Sequence, residues 1–188
     1  MTQPVTEPFR WTTRDLELLP DNGDRYEIID GELFVTRAPH WKHQKASGRI
    51  YTALDIWSQA TQLGETVPAP GVIFSDADNV IPDVVWTSRE RLVLLLDDAG
   101  HLTAAPELIV EVLSSGAANQ QRDRDLKLRL YSARGVREYW IIDWEAQQVE
   151  VYRREGASLR LVATLFPQDE LTSPLLPGFC FQIALLFS

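Results

Sequence analysis

Two acidic residues stand inside runs that otherwise read as buried strand. Glu111 interrupts ELIVEVL (residues 107–113), and Asp83 follows Pro82 in NVIPDVVW (residues 79–86). The surrounding branched aliphatic side chains are of the kind that fills a sheet covered on both faces. An ionised carboxylate buried without a partner costs several kcal/mol even after relaxation, a large part of a domain's net stability, so Glu111 demands a cation. The helical stretch after it offers one. At about 100° per residue, Leu126, Leu128, Leu130, Tyr131 and Ala133 spread over a wide arc that predicts the buried face, with Arg122, Asp125, Arg129 and Ser132 on the other arc. Asp123, Lys127 and Arg134 project from the apolar arc, where a surface helix would carry more leucine. Asp123 and Lys127, four apart, can simply pair with each other. The short loop after Glu111 can equally carry Lys127 back over the sheet toward Glu111 and Asp83.

Two carboxylates on adjacent strand ends with one cation nearby make a candidate centre for a divalent ion such as Mg2+, which keeps several waters and can present one as a nucleophile. The lysine would neutralise charge developing on a phosphate or orient the attacking water. The alternative stays open that Asp83 is a strand-end turn residue after proline and Glu111 one half of a buried ion pair with Lys127 or an arginine.

The elements that must position these residues follow from local signals. Thr12 or Thr13 can cap a short helix through Leu19, closed by Pro20 and the DNGD turn. RYEIIDGELFVT (residues 25–36) holds Asp30-Gly31 between two β-favouring runs and predicts a hairpin. Residues 43–62 recur with helical spacing, Ala46, Ile50, Ala53, Leu54 and Trp57 on one face. Strands are predicted at 66–75, 79–86 and 107–113, with a helix over 89–96 capped by Ser88, then a second long helix over 119–133 capped by Asn119 and closed by Gly135. EYWIID (138–143), VEVYRR (149–154) and SLRLVAT (158–164) read as strands, and LLPGFCFQIALLF as a final strand or short helix. Helices interleaved with strands of both buried and alternating type predict an α/β sandwich around a mixed sheet.

A chain of 188 residues with 45% hydrophobic content can bury one sizeable core, so residues 1–188 are expected to form one domain. Cys180 is the lone cysteine, which excludes an intramolecular disulfide and the common structural zinc sites. Neither the start MTQPVTEPFRW nor any later run reads as a signal peptide or membrane span, so a cytoplasmic protein with no membrane partner is expected. With 18 Lys+Arg against 27 Asp+Glu the formal charge is −9, which opposes non-specific adhesion to duplex nucleic acid. Lys42, Lys45 and Arg49 on the first long helix, with Arg122, Arg124 and Lys127 on the second, can still build a local basic rim. The six tryptophans could stack on bases, but lie within apolar patterns and read mostly as core or interface. Strands carrying Val149, Val151, Leu159 and Leu161 need covering, and a homodimer is one way to cover them.

Taken together, IPDVVW, PELIVEVLSS and RDRDLKLRLYSARGVREYWIID resemble the PD-(D/E)xK nuclease superfamily, and within it a widespread bacterial restriction-endonuclease family of unknown function. RYEIIDGEL, His43-Gln44 and the closing LTSPLLPGF extend the resemblance over nearly the whole chain. It implies a restriction-endonuclease-like αβββαβ core with a mixed central sheet flanked by helices, and a metal-dependent nuclease acting on DNA. It implies Asp83 and Glu111 as ligands of Mg2+ or Mn2+, the Val112 carbonyl as an additional ligand, and Glu27 as an acid that shapes the site. The superfamily motif expects lysine two positions after the second acid, where this chain has Leu113; the resemblance assigns that role to Lys127 on the following helix. His43 matches a recurrent family histidine that could touch a phosphate, and Arg124 joins it as a candidate substrate contact. The competing expectation is a catalytically silent module that keeps the fold for binding or dimerisation.

Overall fold

The computed structural model describes residues 9–188, so part of the leading segment read as lacking a signal peptide lies outside the described residues. The chain opens with α1 (Thr13–Leu16), where Asp15 accepts from both the backbone N–H and the hydroxyl of Thr12. It ends three residues short of the expected Leu19. The hairpin forms as the Asp-Gly turn dictates: β1 (Arg25–Ile29) and β2 (Glu32–Thr36) pair antiparallel, with Asp30 at φ 51° and Gly31 at φ 74°. α2 (Trp41–Thr61) buries Ala46, Ile50 and Leu54 and starts two residues before the expected boundary, capped by His40.

The run 66–75 is two strands rather than one. β3 (Gly64–Pro68) and β4 (Val72–Ser75) belong to different sheets, separated by Ala69 at φ 49°, Pro70, which brings no N–H, and Gly71. The run 79–86 divides likewise into β5 (Asp78–Val80) and β6 (Val84–Ser88), with Ile81-Pro82-Asp83 crossing between the sheets. α3 (Arg89–Leu95) leads to β7 (Leu108–Val112). The second long helix has three parts: α4 (Ala117–Gln121), a π-helical segment (Arg122–Lys127) and α5 (Leu128–Arg134), with Gly116 rather than Asn119 at its N-cap and Gly135 at φ 94° closing it. β8 (Glu138–Asp143), β9 (Gln148–Glu155) and β10 (Ser158–Leu165) follow. A small ribbon of β11 (Glu170–Ser173) and β12 (Leu176–Gln182), then α6 (Ala184–Phe187), end the chain; β11 has no counterpart among the sequence expectations.

The central sheet runs β10-β9-β8-β7-β6-β3 and is mixed: β7 and β8 are parallel, the other ladders antiparallel. In chain order α2, β3, β6, β7, the α4–α5 helix and β8 give the αβββαβ core, helices on both faces. The two-residue period of the strands sorts the core. Val84, Trp86, Val110, Val112, Trp140 and Ile142 lie under Ala46, Ile50 and Leu54 of α2. Val85, Ile109, Leu113, Tyr139 and Ile141 lie under Leu130 and Tyr131 of α5 and under Ile29 and Val80 of the smaller sheet, β2-β1-β5-β4. Glu111 shares the second face by parity. Among the described residues no helix is long and apolar enough to cross a membrane.

Candidate active site

The β6–β7 ladder pairs Val85 with Ile109 and Val84 with Val110. One further step in that register sets Asp83 opposite Glu111. The ladder stops there, because Pro82 brings no N–H and the chain turns away to β5. Asp83 fills the gap: Oδ2 accepts from the Val112 backbone N–H at 2.8 Å, which would otherwise be an orphan donor beyond the ladder's end. Oδ1 accepts from Arg25 at 3.0 Å, and His43 Nε2, reaching in from the first turn of α2, lies 3.3 Å from Oδ2. Burial pushes the Asp83 pKa up, but His43, Arg25 and the Val112 N–H outweigh it and hold the carboxyl at about 2.

Glu27 arrives on β1, two residues from Arg25 and so on the same face. Lys127 comes from the opposite side on the π-helical segment. Its Nζ lies 2.9 Å from Glu27 Oε1, 2.9 Å from Glu111 Oε1 and 3.8 Å from Asp123 Oδ1, with all four side chains at most 3% exposed. Tyr131 Oη donates to Glu111 Oε1 at 2.7 Å, and the Ile81 N–H donates to Glu27 Oε1 at 2.9 Å. The i→i+5 pairing of a π turn puts one residue more in each turn than an α-helix, which rotates everything before it relative to α5. That is why Arg122, expected on the exposed arc, is buried and meets Asp123 at 3.3 Å, while Asp123 and Lys127 both reach the sheet.

Charge is not evenly settled. Burial, joined by the charges of Asp83, Asp123 and Glu27, outweighs Lys127 and raises the Glu111 carboxyl to about 7. Glu27 is also opposed by burial, but Lys127, Arg122 and the Ile81 N–H win and hold it below the ordinary carboxylate range. Burial pulls Lys127 down, yet Glu111, Glu27 and Asp123 prevail and keep it firmly protonated. Lys127 is therefore a hydrogen-bond donor and a fixed positive charge, neither a base nor an acid. His43, desolvated but facing Asp83, is raised above the ordinary imidazole value.

These groups line a cleft of ≈ 230 Å³ at the end of the sheet, walled by Arg25, Glu27, His43, Asp83, Glu111, Val112, Arg122, Asp123, Lys127 and the Thr36–Pro39 segment. Of the residues expected from sequence, Asp83, Glu111, Lys127, Glu27, Val112 and His43 meet there. Arg124 does not: it points away and is held by Asp143 at 2.9 Å and Glu150 at 2.8 Å. Arg25 and Tyr131 were not anticipated. Arg25 was signalled by its two-residue spacing from Glu27, and Tyr131 by its four-residue spacing from Lys127.

The model of the Uma2 family, described as putative restriction endonuclease, matches residues 13–184. The chain belongs to the Uma2 family. A solved structure also resembles it: a crystal structure described as a putative nuclease belonging to DUF820 from Anabaena variabilis, superposing with a TM-score of 0.73 at 19% identity over 94% of this chain and 97% of that one. The likeness shows that the two share a fold. No curated protein gave a match.

Restriction-endonuclease-like proteins generally use divalent metals, and the Uma2-family cleft can be tested for such an ion. Among the described residues no three His, Cys, Asp or Glu side chains are spaced as a ready metal cage. Mg2+ does not need one, since it is commonly held by one or two carboxylates with waters and substrate phosphate completing its shell. Glu111 makes its described hydrogen bonds through Oε1, as Glu27 does, leaving Oε2 of each without a protein donor among the described residues. Burial, with the charges of Asp83, Asp123 and Glu27 behind it, disfavours the ionised form of Glu111, and a divalent cation beside it would favour that form. The donor set fits a hard cation.

Proposed function

We propose that this Uma2-family chain is a metal-dependent nuclease that hydrolyses DNA phosphodiester bonds. Asp83, Glu111 and the Val112 carbonyl would hold Mg2+ or Mn2+, with Lys127 and Glu27 completing the centre. The observation that carries this reading is the meeting, at one buried sheet end, of Glu111 on β7 and Asp83 just before β6 with a lysine bonded to Glu111 at 2.9 Å. A divalent ion held there would supply Lewis-acid activation of water and of the phosphoryl oxygen.

The chain's own groups divide the remaining work. Hydrolysis joins the water oxygen to phosphorus and breaks the bond to the leaving sugar oxygen. The trigonal-bipyramidal arrangement on the way carries extra negative charge on the phosphoryl oxygens. Lys127 Nζ, kept protonated by three carboxylates, can donate to such an oxygen from a desolvated position, where a fixed charge is worth most. Glu27 holds that ammonium in place from the far side. Arg25 and His43 fix the Asp83 carboxylate, and Arg122 lends a further positive charge to the wall. One domain, a cytoplasmic setting and a homodimer belong to the same proposal, and light scattering tests the last.

A specific observation favours a second reading, a catalytically silent module. Asp83 is already satisfied by Arg25, His43 and the Val112 N–H, and Lys127 is already clamped between two glutamates, so the acids are paired without any ion. Calorimetric titration with Mn2+ separates the two. The nuclease reading expects saturable binding in the parent at up to millimolar metal and its loss in Asp83→Asn. A parent that takes up no Mn2+ supports the silent module.

A further inference from the structure

Trp41, the first residue of α2, is 77% exposed, although tryptophan is highly buried on average. Its surroundings are not those of a stray surface residue. His40 stacks on Trp144 with centroids 4.7 Å apart and planes 1° from parallel, and Lys42 Nζ sits 5.7 Å from the centre of the same indole. Trp41, Lys42, Lys45 and Trp144 line one depression. A second, lined by Arg37, Pro39, His40, Ser114 and Ser115, shares the Thr36–Pro39 segment and Ser114 with the candidate active cleft. The two depressions meet at the His40–Trp144 stack. A continuous strip therefore runs from the buried acids across Arg37 to an aromatic and cationic platform at the start of α2. Glu145, beside Trp144, accepts from Ser115 at 3.0 Å and from Gln120 at 3.4 Å.

We propose that this strip binds a single-stranded stretch of nucleic acid next to the bond being cut, with Trp41 stacking on a base and Arg37, Lys42 and Lys45 following the backbone. The inference rests on the nuclease reading for its position and adds the class of substrate. Exposed aromatic faces can be used only by bases whose own faces are free, and a duplex hides them in its stack. The reactive acids are at most 3% exposed within a narrow cleft, which suits a strand that can thread in more than a rigid double helix. The balance of charge agrees. A chain of net charge −9 is poorly suited to track a duplex, whereas three local cations suffice for a short single strand. The helix N-terminus plays no part, since His40 Nδ1 already accepts from the Lys42 N–H.

Fluorescence anisotropy of a short labelled oligothymidylate and of a labelled duplex, with the full chain in chelator so that no cleavage intervenes, tests this directly. The parent is expected to bind the single strand more tightly than the duplex. Log affinity should fall with log salt at a slope of about −2, for three cations at about −0.7 each. Trp41→Ala, whose unfolding midpoint should match the parent's because the side chain is exposed, is expected to weaken single-strand binding about five-fold or more. Lys42→Ala combined with Lys45→Ala should reduce the slope to about −0.7. Equal or tighter duplex binding, no single-strand binding at low salt, or unchanged affinity in Trp41→Ala would each overturn the proposal. Failure of the nuclease reading looks different: the strand would bind as described, and the parent would cut nothing with any divalent metal.

Discussion

Lys127→Met removes one ammonium and leaves three carboxylates facing each other. In the parent, Nζ stands 2.9 Å from Glu27, 2.9 Å from Glu111 and 3.8 Å from Asp123, all buried. Breaking a buried pair from one side costs about 3–5 kcal/mol because the remaining charge is uncompensated. Against a typical net stability of about 5–15 kcal/mol, this is a large fraction, and for a chain of this length it corresponds to a fall in Tm of about 6–20 °C. The loss is limited by protonation, and that gives it a pH signature. With Lys127 gone, Glu111 and Asp123, raised by burial even in the parent, lose their largest opposing charge and rise further, and Glu27 is pushed in the same direction. A raised group contributes stability that is fully present below its unfolded pKa, about 4.3 for glutamate, and is lost as pH rises through the folded pKa. Glu111 already sits at about 7 with the lysine in place, so its window in the variant moves higher still. The stability gap between parent and variant should therefore be widest at pH 8 and shrink toward pH 5. Urea unfolding followed by tryptophan fluorescence measures the gap at each pH. A gap below about 1 kcal/mol at pH 8, or one that does not change between pH 8 and pH 5, would refute the buried-charge reasoning; exposed pairs give values in that lower range.

Two further outcomes follow from individual contacts. Tyr131→Phe deletes the 2.7 Å hydrogen bond to Glu111, a bond to a charged acceptor, and should cost about 1.5–3 kcal/mol in urea unfolding at pH 8 while raising the Glu111 pKa further. Asp78 is desolvated, but the Asp30 N–H, Arg134 and Ser75 outweigh that and lower its pKa, so its contribution is present above the unfolded value of about 3.9 and lost as pH falls through the folded one. The stability difference between parent and Asp78→Asn should be constant from neutral pH down to about pH 5 and vanish under stronger acid.

The sequence was legible where a local signal and the tertiary outcome agree. Asp30-Gly31 specified a hairpin because only residues tolerant of positive φ close that turn. Asp83 and Glu111 stood out because a charge within a run of valine and isoleucine has few explanations, and a single ladder register then brings them opposite each other. What stayed hidden depended on geometry that composition does not encode. Nothing in RDRDLK distinguishes a π turn from an α turn, so α-helical spacing places Arg122 on the exposed arc although it is buried. The breaks at Pro70-Gly71 and at Pro82 were visible as residues, but not that each marks a crossing from one sheet to another. Trp41 lies before the helical spacing that starts at residue 43, so no pattern assigns it a face, and only the packing of α2 shows that its direction is outward. Arg124 shows the limit of charge counting: its neighbours Asp143 and Glu150 come from β8 and β9, far away in sequence, and take it out of the cleft.

In the proposed reaction the cleft cuts nucleic acid with a divalent ion held by Asp83 and Glu111. Its most direct test is cleavage of single-stranded, double-stranded and branched DNA with Mg2+ and with Mn2+, comparing the parent with Asp83→Asn purified identically. Loss of a supporting residue at a metal site typically costs about 10–100-fold, so loss of a ligand should cost more. The parent is expected to cut in a metal-dependent way, abolished by chelator and reduced more than about 100-fold in the folded variant. Equal cutting by parent and Asp83→Asn, or no cutting by the parent with either metal, would contradict it.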